Sequence, residues 1–554
     1  MGVKGKLSTF GLLDKIRSHA SASPSSIAIT DLAHGGLAVT YSQLLSDTIS
    51  LAATLVDTYG STGQADDGGL KEDRICILCS KGYLVPLAML AVWTAGGLAV
   101  PLLPGMPLPE HEYMVENSEA KLIICDEKMR PRAEELAVIV KKNGGRQCEI
   151  MELDLEDIRE KSIESGNGED ALEGAQALEG HRRAMMLFTS GTTGRPKGVV
   201  TRHSALSSQV SALVEAWRWT PSDNLLHILP LNHLHGITVA LLPTLWAGAS
   251  VELWEKFDGP AIWRRWINKE AKEPITMFFG VPTVYSRLIA AHAALSPEEQ
   301  KEASEGSSRL RLQVSGSAPL PESVKKTWEE EGGVGGGMKL LERYGMTETG
   351  IIAGTGWEDA KRVKGHVGWP LSNVKLRLWD KEADKEVKEE DVPGEVEVSG
   401  PGIFIEYWHL PEVTAKEFHD GWFKTGDVAV YSSEPAAKGQ VKILGRNSTD
   451  IIKSGGEKLS AIEIERVILE LEGMQDVAVV GIEDEEWGQV VGACIVTTRP
   501  DLTIETLRSE LRAHLTAYKI PKRLKLYEGE IPRNTMGKVN KKQLVLDAFP
   551  KQSA

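Results

Sequence analysis

The segment MMLFTSGTTGRPKGVV, residues 185–200, is the stretch from which the fold can be worked out. Its apolar start, MMLF, is typical of a strand. Residues 189–194 are small or carry hydroxyls, so their backbone N–H groups and side chains can close around phosphate oxygens. Lys197 adds a cation, and the spacing differs from the Walker loop, which needs G-x-x-x-x-G-K-[ST]. The segment predicts a phosphate-binding loop, with an ordinary solvated turn as the alternative.

Outward from this loop, the chain alternates short apolar runs with helical patterns. ICILCS (75–80) and LIICD (122–126) are typical of strands, and residues 84–95 between them are typical of a helix. This order predicts an α/β fold with a largely parallel sheet. Around residues 370–430 the runs VKLRLWD and GEVEVSG, separated by turn residues, predict a more antiparallel β subdomain.

The last hundred or so residues have the pattern of a small α/β unit. It comprises a helix over 461–472, the strands VAVVGI and GACIVTT, a helix near 503–518 and a basic tail. A unit of this length is large enough to be a domain of its own.

The composition limits the class of protein. At 554 residues the chain exceeds the usual size of one hydrophobic core, so we expect at least two domains. Its 63 Lys and Arg against 78 Asp and Glu give a net charge of −15, which argues against nucleic acid as a partner. No stretch reaches the roughly 20 apolar residues that a membrane-spanning helix needs, so no membrane span is expected. Five cysteines are too few for a disulfide framework, which favours a cytoplasmic location and leaves the mitochondrion as the alternative.

Several further strings, taken with the phosphate loop, resemble the motifs of the adenylate-forming superfamily. That superfamily contains acyl-CoA synthetases, adenylation domains of nonribosomal peptide synthesis and beetle luciferases. The resemblance extends in family order from Leu12 to Leu544. The matching strings are TSGTTGRPKG (189–198), LNHLHG (231–236), GVPT (280–283), SGSAPL (315–320), YGMTETG (344–350), GWFKTGD (421–427), GRNSTDIIKSGG (445–456) and PRNTMGKV (532–539).

The resemblance implies a large N-terminal adenylating domain, residues 1–446, with parallel α/β sheets and a β subdomain. Residues 447–554 would form a small mobile α/β domain that turns between two half-reactions. In the first, a carboxylate attacks the α-phosphate of ATP and pyrophosphate leaves. In the second, the CoA thiolate attacks the acyl-adenylate and AMP leaves. The expected requirements are therefore ATP, Mg²⁺ and coenzyme A as co-substrate.

Residues of the motifs also have physical roles in nucleotide binding. The ring of Tyr344 can stack on adenine, and Asp427 can accept both ribose hydroxyls, with Arg446 beside the same ribose. A helix cap is the alternative for Asp427, and a buried salt bridge is the alternative for Arg446. The nucleotide site implied by the resemblance comprises Thr189, Ser190, Gly191, Thr192, Thr193, Lys197, Gly316, Ser317, Ala318, Tyr344, Gly345, Thr347, Asp427 and Arg446.

Three residues are the candidates for catalysis. Glu348 and Thr192 offer oxygen ligands to Mg²⁺, with a carboxylate at a helix N-terminus as the alternative for Glu348. The resemblance identifies Lys538 as the cation that stabilises the negative charge shared by the carboxylate, the α-phosphate and the pyrophosphate. The neighbouring Lys541 and Lys542 are expected to be solvated. The chemistry requires no protein nucleophile.

The resemblance also implies a channel for the pantetheine arm of CoA. Gly455 and Gly456 would border it, because a chain can slide past backbone only where side chains are absent. The segment GRNSTDIIK has one residue more after Arg446 than the common family pattern. The pivot of the small domain can therefore be Ser448, Thr449 or Asp450.

The acid is expected to bind near LNHLHG and GVPTVYSRL. His233 and His235 lie beside the reacting carboxylate in relatives, and forming the pocket wall is favoured over acid–base catalysis. Helical spacing places Val284 and Arg287 on one face near the pocket floor, where a buried cation would need a substrate anion. With Ser315, these residues resemble malonyl-CoA synthetases, in which an arginine at this point holds the second carboxylate. The alternative is that Arg287 caps a helix and faces water.

Three functions follow from these patterns. The first is an AMP-forming malonyl-CoA synthetase, which makes malonyl-CoA from malonate, ATP and CoA. The second is an acyl-CoA synthetase for a medium-chain or aryl monocarboxylate. The third is a stand-alone adenylation or ligand-binding module that serves a carrier protein; the absence of an appended carrier domain and the retained motifs count against it.

Overall fold

The computed structural model describes residues 7–60, 69–144, 148–164, 172, 176–177, 180–189, 195–268, 270–446, 449–454, 457–484, 487–533 and 539–550. Within these ranges the strands are β1 (Ser8–Thr9), β2 (Ile27–Asp31), β3 (Leu37–Thr40), β4 (Arg74–Leu78), β5 (Leu98–Pro101), β6 (Leu122–Cys125), β7 (Glu149–Glu152), β8 (Gln176–Ala177), β9 (Arg183–Thr189), β10 (Lys197–Arg202), β11 (Asn224–His227), β12 (Ser250–Leu253), β13 (Met277–Gly280), β14 (Leu312–Gly316), β15 (Leu341–Met346), β16 (Gly350–Gly354), β17 (Trp369–Pro370), β18 (Lys375–Asp380), β19 (Lys385–Val387), β20 (Gly394–Ser399), β21 (Glu406–Tyr407), β22 (Phe418–His419), β23 (Trp422–Tyr431), β24 (Val441–Arg446), β25 (Ile451–Ser454), β26 (Glu457–Ser460), β27 (Met474–Asp484), β28 (Gly488–Thr497) and β29 (Arg523–Leu526).

The α-helices in the same ranges are α1 (Gly11–Ala22), α2 (Tyr41–Tyr59), α3 (Leu84–Thr94), α4 (Leu108–Asn117), α5 (Arg130–Lys142), α6 (Leu155–Glu164), α7 (His203–Ala216), α8 (Leu242–Ala247), α9 (Gly259–Ile267), α10 (Pro282–Ala293), α11 (Pro297–Ser308), α12 (Glu322–Glu329), α13 (Pro411–Lys416), α14 (Ala461–Leu469), α15 (Ile504–Leu511) and α16 (Lys541–Ala548). A π-helix, His235–Leu241, precedes α8. None of the helices described here is both long enough and apolar enough to cross a membrane.

Two large sheets form the body of the molecule. One has seven strands in the order β21-β10-β9-β5-β4-β6-β7, and the other has nine in the order β17-β16-β15-β14-β13-β11-β12-β2-β3. Neighbours in the middle of both sheets are parallel. Their strands are almost wholly buried and almost wholly apolar, which a parallel sheet needs because both of its faces are covered. The predicted α/β fold, the strands at ICILCS and LIICD and the helix between them are confirmed.

A third sheet is antiparallel and confirms the predicted β subdomain. Its order is β19-β18-β20-β23-β22, with β24 beside β23. Leu378, Val396, Val398 and Phe423 are buried in its core, and polar residues alternate with them along the strands. The pairing of β23 with β24 sets Asp427 opposite Arg446.

The C-terminal region has its own sheet and core. The order β26-β25-β28-β27 is completed by β29, which lies parallel to β28. Two helices here are shorter than the sequence predicted. α14 stops at Leu469 shortly before Gly473, which has a left-handed backbone, and α15 stops at Leu511. A short 3-10 turn at Ala517–Lys519 then leads to Pro521, which disfavours helix in the residue before it.

Candidate active site

The candidate site lies where strands of the nine-stranded sheet end. β13, β14 and β15 are parallel neighbours, so their carboxyl ends meet at one edge. Ser315 and Gly316 close β14, and Tyr344 and Gly345 lie near the end of β15. Ligands of open α/β sheets bind at this kind of edge.

Tyr344, Asp427 and Arg446 come together as predicted for a ribose site. The Tyr344 hydroxyl donates to Asp427 Oδ2 at 2.6 Å, and Arg446 Nε lies 3.2 Å from Asp427 Oδ1. Burial raises the pKa of Asp427, and Arg446 and Tyr344 work against that rise. Asp427 lies within β23, so the helix-cap alternative is wrong. The Arg446 side chain is 40% exposed, so its ion pair with Asp427 is not fully buried.

Glu348 connects this edge with the ends of the phosphate loop. It is buried in the turn between β15 and β16, so the helix-terminus alternative is wrong. Its Oε1 accepts from the Tyr407 hydroxyl at 2.8 Å. Lys197 Nζ lies 4.1 Å from the centre of the Tyr407 ring, and Thr189 lies opposite Lys197 across β9 and β10. Tyr407 therefore lies between Glu348 and Lys197, which follows the predicted phosphate loop. Thr347 is half-buried in the same turn, and Ala318 is exposed just after β14.

Glu348 fits the part of a Mg²⁺ ligand. In the ranges described, no group of three or more His, Cys, Asp or Glu side chains could enclose a metal by itself. Mg²⁺ bound with a nucleotide takes only one or two protein carboxylates and completes its shell with phosphates and water. A single buried carboxylate beside a phosphate loop matches that requirement. Bound there, the ion would neutralise charge on the phosphates.

Eight predicted residues lie outside the described part of the chain. They are Ser190, Gly191, Thr192, Thr193, Ser448, Gly455, Gly456 and Lys538. Their roles in phosphate binding, the CoA channel and catalysis stay predictions. The expectation that Lys541 is solvated is wrong, because its side chain is only 13% exposed and pairs with Asp450 and Glu465. Lys542 is exposed as expected.

A polar cluster lies next to Tyr344 and contains the buried Arg343, which no motif indicated. Arg343 Nη2 donates to Ser317 Oγ at 2.9 Å, and Ser317 Oγ lies 3.4 Å from His235 Nδ1. Arg343 is 6% exposed, and burial lowers its pKa to about 9. Its Nε, His235 Nε2 and Ser315 Oγ are buried without a hydrogen-bond partner. Buried polar atoms normally have partners, so these atoms point to a polar ligand.

The backbone at Gly316 and Ser317 lets the side chains of this cluster pack closely. A Cβ on Gly316 would lie 2.4 Å from Arg343 Nε, so only glycine lets the guanidinium pack there. Ser317 has φ of 70°, an uncommon conformation for a residue with a side chain. The signal in the sequence was the charged residue directly before YGMTETG together with the glycine of SGSAPL. Neither shows burial, so the pairing was not foreseen.

The two histidines and Arg287 occupy different positions. Burial, followed by the Arg343 charge, lowers the pKa of His235 well below its ordinary range, which favours a neutral pocket wall as predicted. His233 is half-buried. Arg287 lies on α10 and is exposed, with its guanidinium 4.2 Å above the Phe257 ring. The expectation that Arg287 is buried with Val284 is wrong, because Val284 is buried and Arg287 is exposed to water, as the alternative stated. The role of Arg287 in holding the acid stays a prediction.

The fold and the polar residues at this sheet edge define the class of protein to which the chain belongs. The chain belongs to the AMP-binding enzyme family, whose sequence model matches residues 16–408. The model of the AMP-binding enzyme C-terminal domain matches residues 463–538. The predicted membership of the adenylate-forming superfamily is confirmed.

Relatives of known name match over most of the chain. A protein named CoA ligase from Gibberella moniliformis is 38% identical over 95% of this chain and 93% of its own length. The malonate–CoA ligase of Arabidopsis thaliana is 37% identical over 95% of this chain and 87% of its own. Among solved structures, ATP-bound MatB from Rhodopseudomonas palustris superposes with a TM-score of 0.80 at 30% identity, covering 98% of this chain and 99% of that one.

Proposed function

We propose that this protein is an AMP-forming acid:CoA ligase and that its acid is malonate. Membership of the AMP-binding enzyme family supports adenylation, and relatives named malonate–CoA ligase support the acid. The ATP-bound structural relative supports ATP as the nucleotide. The expected requirements remain ATP, Mg²⁺ and CoA.

The observation that supports a carboxylate as the second substrate is the buried Arg343. Its guanidinium has a serine neighbour but no acidic partner within hydrogen-bonding distance among the described residues. Leaving a cation buried without an anion is unfavourable, so a bound carboxylate would satisfy it. The choice of malonate over a medium-chain or aryl monocarboxylate is supported by the relatives named malonate–CoA ligase.

The proposal assigns a part of the substrates to each group of residues. Asp427 would accept the ribose hydroxyls with Arg446 beside them, and the Tyr344 ring would stack on adenine. Lys197 and Glu348 would face the phosphates and their Mg²⁺. Arg343 and its neighbours would hold a carboxylate beside the α-phosphate, so the attacking oxygen is positioned for in-line displacement. Lys538 would supply the remaining cation from the C-terminal region. The products of the two steps are malonyl-CoA, AMP and pyrophosphate.

We also propose residues 447–554 as the mobile domain. Its core, which includes Ile452, Ile464 and Val479, is separate from the cores of the large sheets. Contacts to the rest of the protein include the ion pair of Lys364 with Glu470 at 3.2 Å. Exposed ion pairs of this kind are weak, so they permit a rotation. Gly455 and Gly456 remain the proposed border of the CoA channel.

A comparison of acids tests the choice of substrate. Pyrophosphate release should depend on malonate and be weak with hexanoate or benzoate. Arg287→Ala should reduce the rate with malonate selectively if this arginine holds the second carboxylate. Unchanged turnover of malonate in that variant removes the role of Arg287, and a preference for benzoate or hexanoate removes malonate as the substrate.

The compartment is a separate proposal. Relatives from Xenopus laevis, Bos taurus, Mus musculus and Homo sapiens carry the word mitochondrial in their names. We keep the cytoplasm as the proposed location on the composition argument, with the mitochondrion as the alternative. Fractionation of cells that express the full chain with a C-terminal tag decides between them.

A further inference from the structure

Three charged side chains meet in the interior of the C-terminal region. Lys541 Nζ lies 2.6 Å from Asp450 Oδ1 and 2.6 Å from Glu465 Oε1. The three side chains are only 13%, 15% and 17% exposed. We refer to Asp450, Glu465 and Lys541 as the buried triad.

The buried triad joins three parts of the chain. Asp450 precedes β25 and lies four residues after Arg446, in the segment where the pivot is predicted. Its Oδ2 also accepts the backbone N–H of Arg446 at 3.0 Å. Glu465 belongs to α14 and accepts the backbone N–H of Val479 at 2.7 Å. Lys541 begins α16, three residues after Lys538 in the sequence. The triad therefore links the predicted pivot to the part of the chain that carries the predicted catalytic lysine.

The described residues on either side of 534–538 have contacts of their own with the C-terminal sheet. Arg533 donates to both carboxylate oxygens of Asp476 at 2.7 Å and forms a β-bridge with Val539. Leu544 of α16 is buried against β27 and β28. These contacts already attach the tail to the sheet. The triad adds a specific connection toward Arg446 that packing alone does not make.

The charges of the triad suit a positional role better than a stabilising one. Burial alone would lower the pKa of Lys541, but Glu465 and Asp450 outweigh it and raise the pKa. Burial raises the pKa of Glu465, and Lys541 opposes that rise. A buried ion pair contributes little net stability because desolvation cancels much of the attraction. The Lys541 ammonium nevertheless contacts both Asp450 and Glu465, and these two directional contacts fix where the backbone at residue 541 lies.

We propose that Lys541 is a positioning residue, which ties the segment carrying Lys538 to the pivot segment so that both move as one body. The proposal rests on the proposed adenylation reaction. Lys538 serves the first half-reaction, so loosening its attachment should slow adenylation. Thioester formation, for which the small domain presents another face, should be affected little.

The test compares Lys541→Met with Lys542→Met in the full-length protein. Lys542 is the adjacent exposed lysine and provides the matched control. Acid-dependent exchange between pyrophosphate and ATP measures adenylation, and consumption of CoA with chemically prepared malonyl-adenylate measures thioester formation. Misplacement of a catalytic group by about 1 Å can reduce a rate about a hundredfold, so we expect Lys541→Met to lower the exchange rate by about tenfold to a hundredfold. The KM for ATP, thioester formation and both rates of Lys542→Met should stay within about twofold of wild type.

Conservative variants separate position from folding. Lys541→Arg retains a cation and should recover most of the exchange rate, whereas Glu465→Gln should fall between wild type and Lys541→Met. If Lys541→Met does not fold, the same comparison is made with Asp450→Asn, which keeps the shape of the side chain. Equal losses in the two half-reactions, or a loss no greater than that of Lys542→Met, would overturn the proposal.

The outcome is independent of which acid the protein activates. If wild-type protein exchanges pyrophosphate with another acid and not with malonate, the substrate proposal fails. The comparison of lysine variants then proceeds with that acid and its adenylate. If wild type shows no exchange with any acid, adenylation itself fails, and the role proposed for Lys541 fails with it.

Discussion

Arg343 combines a buried guanidinium, an unpartnered Nε and a neighbouring glycine that leaves room for it. Replacing it by methionine should reduce kcat/KM for malonate by about 30- to 150-fold, because a charged hydrogen bond contributes about 2–3 kcal/mol. The melting temperature should not fall, since the folded protein no longer buries an uncompensated cation. Arg218→Met is the control, because Arg218 is 59% exposed and pairs with Glu358 at the surface. Equal malonate kinetics in the two variants would contradict the assignment.

The lowered pKa of Lys81 predicts that the stability of the protein depends on pH. Lys81 is half-buried, its Nζ donates to the carbonyl of His227 at 3.2 Å, and burial lowers its pKa from 10.5 to about 7. Between these two values the unfolded chain holds a proton that the folded chain has lost. The free energy of unfolding therefore rises with pH through that window and gains nothing from Lys81 below it.

Lys81→Met should remove that rise and stabilise the protein at the acidic end of the window. Melting temperatures at about pH 6.5 and about pH 8.5 measure the effect, and the wild type should gain more between them than the variant. Lys128→Met is the control, because Lys128 is 72% exposed. The same gain in Lys81→Met as in wild type would show that Lys81 stays protonated in the fold.

At the level of single residues, the sequence predicted which side chains lie together better than it predicted which side chains are buried. Tyr344, Asp427 and Arg446 meet as their motifs suggested, because each motif pairs a residue type with a nucleotide group. Arg287 and Lys541 were misjudged in opposite directions, one expected to be buried and the other solvated. Whether a long cationic side chain faces water depends on neighbours far away in the chain, and a local pattern carries no information about them.

The hairpin of β15 and β16 is the element that presents Glu348. The buried amide of Gln209 holds it, accepting the N–H of Ile351 at 3.0 Å and donating to the carbonyl of Thr349 at 3.3 Å. Gly350 has φ of 69°, and a Cβ there would lie 2.4 Å from the Gln209 amide carbon. The position therefore excludes any side chain.

Gly350→Ala should lower both stability and adenylation. The left-handed backbone alone costs about 1–2 kcal/mol for alanine, and the overlap with Gln209 should shift the turn that carries Glu348. Gly354→Ala, at the other end of β16, is the control because a Cβ there meets nothing closer than 3.9 Å. Thermal melting and pyrophosphate exchange measure the two effects. A Gly350→Ala protein as stable and active as Gly354→Ala would show that the hairpin does not depend on this packing.

Elements of secondary structure were predicted well where apolar periodicity was strong, as for β4, β6 and α3. Helix ends were predicted poorly in the C-terminal region, where α14 and α15 stop earlier than their patterns suggested. Apolar residues continue at regular spacing after the helix has ended, because side chains such as Leu515 and Ile520 still pack in the core. Sequence pattern therefore predicts burial beyond the point where the helix ends.

At the scale of the whole molecule, the two large sheets, the β subdomain and the C-terminal sheet follow the order of motifs along the chain. That order predicted the architecture because described motifs such as SGSAPL and YGMTETG lie at the end of a strand or in a turn between strands. The sequence could not predict how the phosphate-loop ends, Glu348 and the Arg343 cluster converge. That convergence depends on strand order across the nine-stranded sheet and on packing between the sheets.

The most direct measurement follows oxygen from the acid to the nucleotide. Purified protein is incubated with malonate labelled with ¹⁸O in its carboxylates, ATP, Mg²⁺ and CoA, and the products are examined by mass spectrometry. A carboxylate oxygen that attacks the α-phosphate stays with AMP when the CoA thiolate displaces it from the acyl carbon. We predict malonyl-CoA and an equal amount of AMP carrying a single ¹⁸O. Unlabelled AMP, or label in orthophosphate together with ADP, would contradict the account.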